Sequence, residues 1–180
     1  MKIILISDDD IQVGHLPVKD VDLLVSLGDL YDQTILRAVK RYEPSHTLAL
    51  RGNHDTPDPF PPPIRDLHLQ TLSIDGITLG GFGGSWKYKP RGFHLFEQEE
   101  VAHLLRNFPP VDVFLAHNSP AGIHERDDHV HQGFEAFQEY IYRAQPRWFF
   151  HGHQHRDLVT QLGGTTIVGV YGEKLVEMDV

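Results

Sequence analysis

The chain contains no cysteine. That excludes disulfides, thiolate-bound zinc and a cysteine nucleophile, and it agrees with a reducing compartment, so a cytoplasmic protein is expected. Long apolar runs are missing too. Met1–Ile6 is apolar but gives way to Ser7-Asp8-Asp9-Asp10, too soon for a signal peptide. No stretch approaches the ~20 residues that a membrane span requires, so no membrane partner is expected. Basic residues are scarce: 16 Lys and Arg stand against 25 Asp and Glu, for a net charge of −9 and a pI near 5.7. An acidic surface repels a phosphate backbone, which argues against broad binding of nucleic acid. That argument is weaker inside a site where bound cations invert the local sign.

What is present is 180 residues of ordinary globular composition, 40% hydrophobic, which fit one domain spanning 1–180. Short apolar runs at Lys2–Ser7, Asp22–Leu27 and Thr47–Leu50 read as buried strands. Tyr31–Tyr42 carries Ile35, Leu36, Val39 and Tyr42 at helical spacing. After a stiff Pro57–Pro63 loop, Leu67–Ile74 and Ile77–Phe82 flank Asp75-Gly76, a hairpin signal. Helices are expected over Glu97–Phe108 and Gln132–Ala144. Further strands are expected at Val111–Ala116, Trp148–His151, Leu158–Leu162, Thr165–Val170 and Lys174–Met178. About ten strands and three helices result, alternating early and strand-rich late, which suits two packed mixed sheets with helices outside.

Metal-competent residues recur where these strands end: Asp8-Asp9-Asp10, Gly28-Asp29, Gly52-Asn53-His54-Asp55, His117-Asn118 and His151-Gly152-His153-Gln154-His155. Ligands of open α/β sheets gather outside the carboxyl ends of strands, so five loops can deliver side chains to one place. Carboxylates, an amide and imidazoles without sulfur suit hard and borderline divalent metals. Asp8 and Asp10, like His153 and His155, lie two apart and share a side of an extended segment. Taken singly, the aspartates and Asn53 could equally cap turns or helices, and His117 could be a buried structural histidine.

In this order the motifs resemble those of the calcineurin-like metallophosphoesterases, over the stretch from Asp8 to His155. The resemblance implies an α/β fold in four layers, αββα, two mixed sheets flanked by helices. It implies two divalent ions, manganese first, with iron, magnesium, zinc or nickel as alternatives. Asp8, Asp10, Asp29 and His155 would hold one ion; Asn53, His117, His153 and the bridging Asp29 would hold the other. His54, oriented by Asp55, would assist the leaving group while a two-metal-activated water attacks phosphorus. The expected activity is hydrolysis of a small-molecule phosphoester, a diester first. A phosphomonoesterase and a catalytically weak scaffold for protein–protein interaction are the alternatives. One position departs from the family, which has histidine where this chain has Asp10; a carboxylate there adds hard oxygen character and favours manganese, iron or magnesium. His15 is a candidate substitute.

Other residues stay open at this stage. His151 reads as structural or supporting. Arg51 either touches substrate phosphate or forms an ion pair. The loop His124–His131 either lines the cleft or is solvated. Gly81–Trp86 reads as a tight loop near the site. Trp86, Tyr88 and Phe93 either stack on a ring or cover the core.

Overall fold

The structure, a computed structural model, describes residues 1–179. Its elements are β1 (Lys2–Ser7), β2 (Leu23–Ser26), α1 (Asp32–Tyr42), β3 (His46–Ala49), β4 (Arg65–Asp66), β5 (Thr71–Ile74), β6 (Ile77–Phe82), β7 (Ser85–Trp86), β8 (Leu95–Phe96), α2 (Gln98–Leu105), β9 (Val113–Ala116), α3 (Glu135–Ala144), β10 (Trp148–His151), β11 (Val159–Leu162), β12 (Thr165–Gly169) and β13 (Gly172–Glu177). One sheet has the order β13-β1-β2-β3-β4 and the other β11-β12-β10-β9-β6-β5. In the first, β1, β2 and β3 run parallel. In the second, β6, β9, β10 and β12 do so. Antiparallel β13 closes one edge of the first sheet; β5 and β11 flank the second.

Parallel strands buried on both faces should be apolar throughout, and side-chain alternation then sorts them into layers. Ile3 and Leu5 of β1 face the second sheet, where they meet Leu79, Val113, Leu115 and Phe150. Ile4 and Ile6 face outward onto Ile35, Ala38 and Tyr42 of α1. On the far side Phe114, Phe149 and Ile167 pack against Val101 and Leu105 of α2 and Phe137 and Tyr140 of α3. The layers are therefore α1, sheet, sheet, α2 with α3, which is the αββα arrangement expected. Helix ends follow local chemistry. Glu97 and Glu100 form a reciprocal capping box on α2. Glu43 and Gln145 close α1 and α3 in the left-handed conformation.

Two local expectations change. Leu67–Ile74 is not one strand: β4 pairs with β3 in the first sheet, while β5 pairs with β6 in the second. The chain crosses between sheets at Leu67–Gln70, and buried Leu67 belongs to the core between them. The parallel pair β7–β8 is additional; two residues per strand leave no periodicity to detect. Among the described residues no helix is long and apolar enough to cross a membrane.

Candidate metal centre

All the parallel strands of both sheets present their carboxyl ends to one side, and the turns leaving them are unusually tight. Asp8, Asp29, His153 and His155 have φ of 65°, 55°, 63° and 50°. Such values are uncommon outside glycine, although aspartate and histidine tolerate them best, and they cluster where function over-determines the backbone. Between them stand glycines with no room for a Cβ. On Gly52 it would strike the Asp29 carboxylate and His117; on Gly152, the Ser7 hydroxyl and Asp8.

The tightest grouping is Asp29, His117 and His153, whose ligand atoms all lie within 4.8 Å of one another. Their tautomers follow from the partners on the far side of each ring. His117 Nδ1 lies 2.8 Å from the Leu27 carbonyl, which can only accept, so Nδ1 carries hydrogen there. Its Nε2 then faces two more acceptor atoms, Asn53 Oδ1 at 3.1 Å and Asp29 Oδ2 at 3.4 Å. The Asn53 amide is held in this sense because its Nδ2 donates to the Tyr88 hydroxyl. On His153, Nε2 lies 3.3 Å from the Val130 carbonyl, so Nδ1 is left with the lone pair. Acceptors crowded around one point require a proton or a cation between them.

The electrostatics say the same. Burial pushes the His117 imidazole down, but the Asp29 charge and its hydrogen bond outweigh this and raise the pKa to about 9. For Asp29, burial pushes up and the neighbouring His117, with the His54 amide, holds the carboxyl well below the usual range. Burial, with His117 and His131 close by, pushes His153 well down, so it stays neutral, as a ligand must.

Asp8 and His155 form the second grouping. Asp8 Oδ2 accepts from the Ser7 hydroxyl at 2.6 Å and the His153 amide at 2.9 Å. Its Oδ1 is buried without any hydrogen bond and faces His155 Nε2 at 3.5 Å. A buried carboxylate oxygen left unpaired is costly unless a cation completes it. Asp10 lines the same cavity of about 470 Å³ as Asp8, Asp29 and His155, but its Oδ1 accepts from the Tyr31 amide at 3.1 Å. His15 does not substitute for it: its ring bonds the Ile11 carbonyl at 2.8 Å, outside that cavity.

His54 is exposed on the rim of the cavity, its amide donating to Asp29 Oδ1 at 2.8 Å. Asp55 departs from its expected place. Its Oδ2 accepts from the amides of Gly52 at 2.7 Å and Asp29 at 2.9 Å, and no bond to the His54 ring is found among the described residues. It ties the β2 and β3 loops together. Arg51 resolves as an ion pair, with Nη1 2.7 Å from Asp32 and Nη2 2.9 Å from the Asp58 carbonyl.

A family model described as calcineurin-like phosphoesterase matches residues 5–157, the stretch that carries all of these side chains. The chain belongs to the calcineurin-like phosphoesterase family. It is 24% identical to the UPF0046 protein K07C11.7 of Caenorhabditis elegans, over 93% of this chain and 68% of that one. Its fold is similar to that of phosphopantetheinyl hydrolase from Mycobacterium tuberculosis, with TM-score 0.64 and 14% identity, covering 94% and 89% of the two chains. At that identity the likeness is one of fold.

Calcineurin-like phosphoesterases generally bind divalent metals in a dinuclear site. The donors here fit such ions on structural grounds: an orphaned buried oxygen on Asp8, and lone pairs on His117 and His153 converging on Asp29.

Residues outside the expected ligand set surround these donors. Gln154 Nε2 reaches Ser119 Oγ at 3.0 Å and the His131 carbonyl at 2.8 Å, and its Oε1 accepts from the Arg126 amide. It fastens loop 118–132 to the His153–His155 turn. His131, paired with Asp128 at 2.7 Å, packs its ring 4.9 Å from that of His153. His151 is fully buried and bonds His124 at 2.8 Å, which makes it structural. The His124–His131 loop is thus packed against His151, His153 and His155 at several points. Tyr88 bonds Asn53, Trp86 packs on the outer core and Phe93 is exposed.

Proposed function

We propose that the chain is a metal-dependent phosphoesterase acting on a small-molecule diester. In this reading Asp8, Asp10 and His155 hold one divalent ion, Asn53, His117 and His153 a second, and Asp29 is shared. The observation that carries it is the convergence of unpaired acceptors from both sheets, above all the buried, unbonded Asp8 Oδ1. A pair of divalent ions, when bound, lowers the pKa of water and neutralises phosphoryl charge.

The protein's own residues supply the rest. His54, exposed at the cavity and tied to Asp29, gives its proton to the departing oxygen as the ester bond breaks, while the water that bonds to phosphorus releases one proton to solvent. Help of this kind is worth ~10²–10⁴-fold. Asp55 keeps the two loops in register. A diester is favoured by charge. Asp8, Asp10, Asp29, Asp32, Asp55 and Asp58 line the cavity, and its one arginine is already paired with Asp32. Even with two divalent ions in place, six carboxylates and one arginine leave this lining about one charge negative, so a singly charged diester meets less repulsion than a doubly charged monoester.

The test is turnover of bis-p-nitrophenyl phosphate and p-nitrophenyl phosphate by chelated protein reloaded with manganese. The diester should be cleaved with kcat/KM at least ~10-fold higher, a difference of ~1.4 kcal/mol. His54→Ala should lower kcat ~10²–10⁴-fold with metal content intact. Full metal loading with no ester hydrolysed would contradict the proposal and favour a scaffold.

A further inference from the structure

Six large hydrophobic side chains are exposed among the described residues, and two of them, Ile11 at 84% and Tyr31 at 74%, lie near the metal-centre cavity, Tyr31 in its lining. Single exposed apolar residues are ordinary. These two differ in sharing a second, open cavity of about 570 Å³. It has Asp10, Tyr31 and Gln33 in common with the metal-centre cavity, so the two adjoin.

Both side chains are held by rigid backbone. Asp9 accepts from the Ile11 amide at 2.9 Å and the Gln12 side chain at 2.7 Å, fixing a turn. Val13, two residues on, is anchored in the core at 2% exposure. Tyr31 is the N-cap residue of α1, and its amide is tied to Asp10. The ledge is thus pre-organised, which lowers the entropy cost of binding on it.

Its chemistry also differs from that of the metal centre. The two basic side chains in this second cavity are already engaged with backbone carbonyls, Arg37 with that of Asp10 at 2.9 Å and His15 with that of Ile11 at 2.8 Å. Among these polar neighbours an aromatic ring and a branched aliphatic chain stand exposed to solvent. A flat apolar ring finds a face to lie on there, beside the Arg37 guanidinium, which keeps its charge and its remaining N–H groups.

We infer that the Ile11–Tyr31 ledge is the subsite for an aryl or nucleoside-like ring esterified to the phosphorus, and that it sets the enzyme's preference among phosphodiesters. The inference rests on the proposed phosphoesterase reading of the neighbouring cavity.

Phenylphosphonate and methylphosphonate carry the same head group and differ only in the ring, so as competitive inhibitors of the manganese-loaded enzyme they isolate the ledge. Wild type should bind the phenyl compound ~10-fold or more tightly than the methyl one, as burial of a ring on apolar surface requires. In the Ile11→Ser/Tyr31→Ala double variant that ratio should fall to about twofold or less, the methylphosphonate inhibition constant and the bound manganese staying as in wild type. Equal inhibition of wild type by the two phosphonates, or a phenyl preference that survives in the double variant, would overturn the ledge while leaving the phosphoesterase reading intact. Absence of both ester hydrolysis and phosphonate binding in wild type would overturn that reading and the ledge with it.

Discussion

Asp8 Oδ1 is buried without a hydrogen bond and faces His155 Nε2 across 3.5 Å. A metal-free protein carries that unpaired oxygen at a cost, and Asp8 also sits at φ 65°. Asparagine tolerates that conformation well, and its amide oxygen can keep the bonds from Ser7 and His153. Asp8→Asn should therefore stabilise chelated protein by about 1 kcal/mol, ~2–4 °C in a chain of this size. It should also abolish most of the thermal shift that manganese produces. Equal manganese shifts in variant and wild type would remove Asp8 from the ligand set.

Steric crowding at the glycines makes a second prediction. Gly52→Ala should cost ~1–3 kcal/mol and sharply reduce metal uptake, because the new Cβ displaces Asp29 or His117. Gly164→Ala is the control: its Cβ meets nothing within 4 Å, so denaturant midpoints should barely move, within ~0.5 kcal/mol.

These glycines also mark how far the sequence could be read. Asp8, Asp29, Asn53, His117 and His153 were legible because each follows a short apolar run, and parallel strands deliver such positions to one side. The burial of both faces of β1, β9 and β10 made the αββα layering legible as well. What stayed hidden depends on meetings between distant loops. Asp55 bonds Asp29 across 26 positions, Arg51 finds Asp32, and Gln154 reaches Ser119 across 35. Periodicity carries no trace of such pairs. The sheet change between β4 and β5 was hidden for a related reason: an apolar residue such as Leu67 looks the same whether it continues a strand or fills the space between two sheets.

Gln154 leads to a third prediction. Gln154→Leu keeps the volume but leaves Ser119, the His131 carbonyl and the Arg126 amide without their partner. The cost should be ~1–3 kcal/mol, and loop 118–132 should become a preferred cleavage site for trypsin at Arg126. Unchanged proteolysis would show that the loop is held by other contacts.

The acid limit of stability makes a fourth. His68 Nδ1 accepts from the Gly83 amide at 3.0 Å, and its ring packs against Phe82. Burial pushes its pKa down, although Asp66 works against this. A depressed histidine leaves stability intact above its unfolded pKa near 6.5 and removes it as the pH falls from there toward the folded value. Urea unfolding of chelated protein should weaken from pH 7 to pH 5, by up to ~1.4 kcal/mol per pH unit for each histidine kept neutral. His68→Gln, which keeps an acceptor for Gly83 without a titrating group, should show a shallower loss. An identical slope in the variant would assign the acid sensitivity elsewhere.

In the proposed centre Asp8, Asp10, Asn53, His117, His153 and His155 hold a pair of cations around Asp29. Manganese titration of chelated protein by calorimetry, checked by elemental analysis, measures that directly. The prediction is two ions per chain in wild type and fewer than two in Asp29→Ala. A wild-type protein that binds none, or one whose stoichiometry Asp29→Ala does not change, would contradict it.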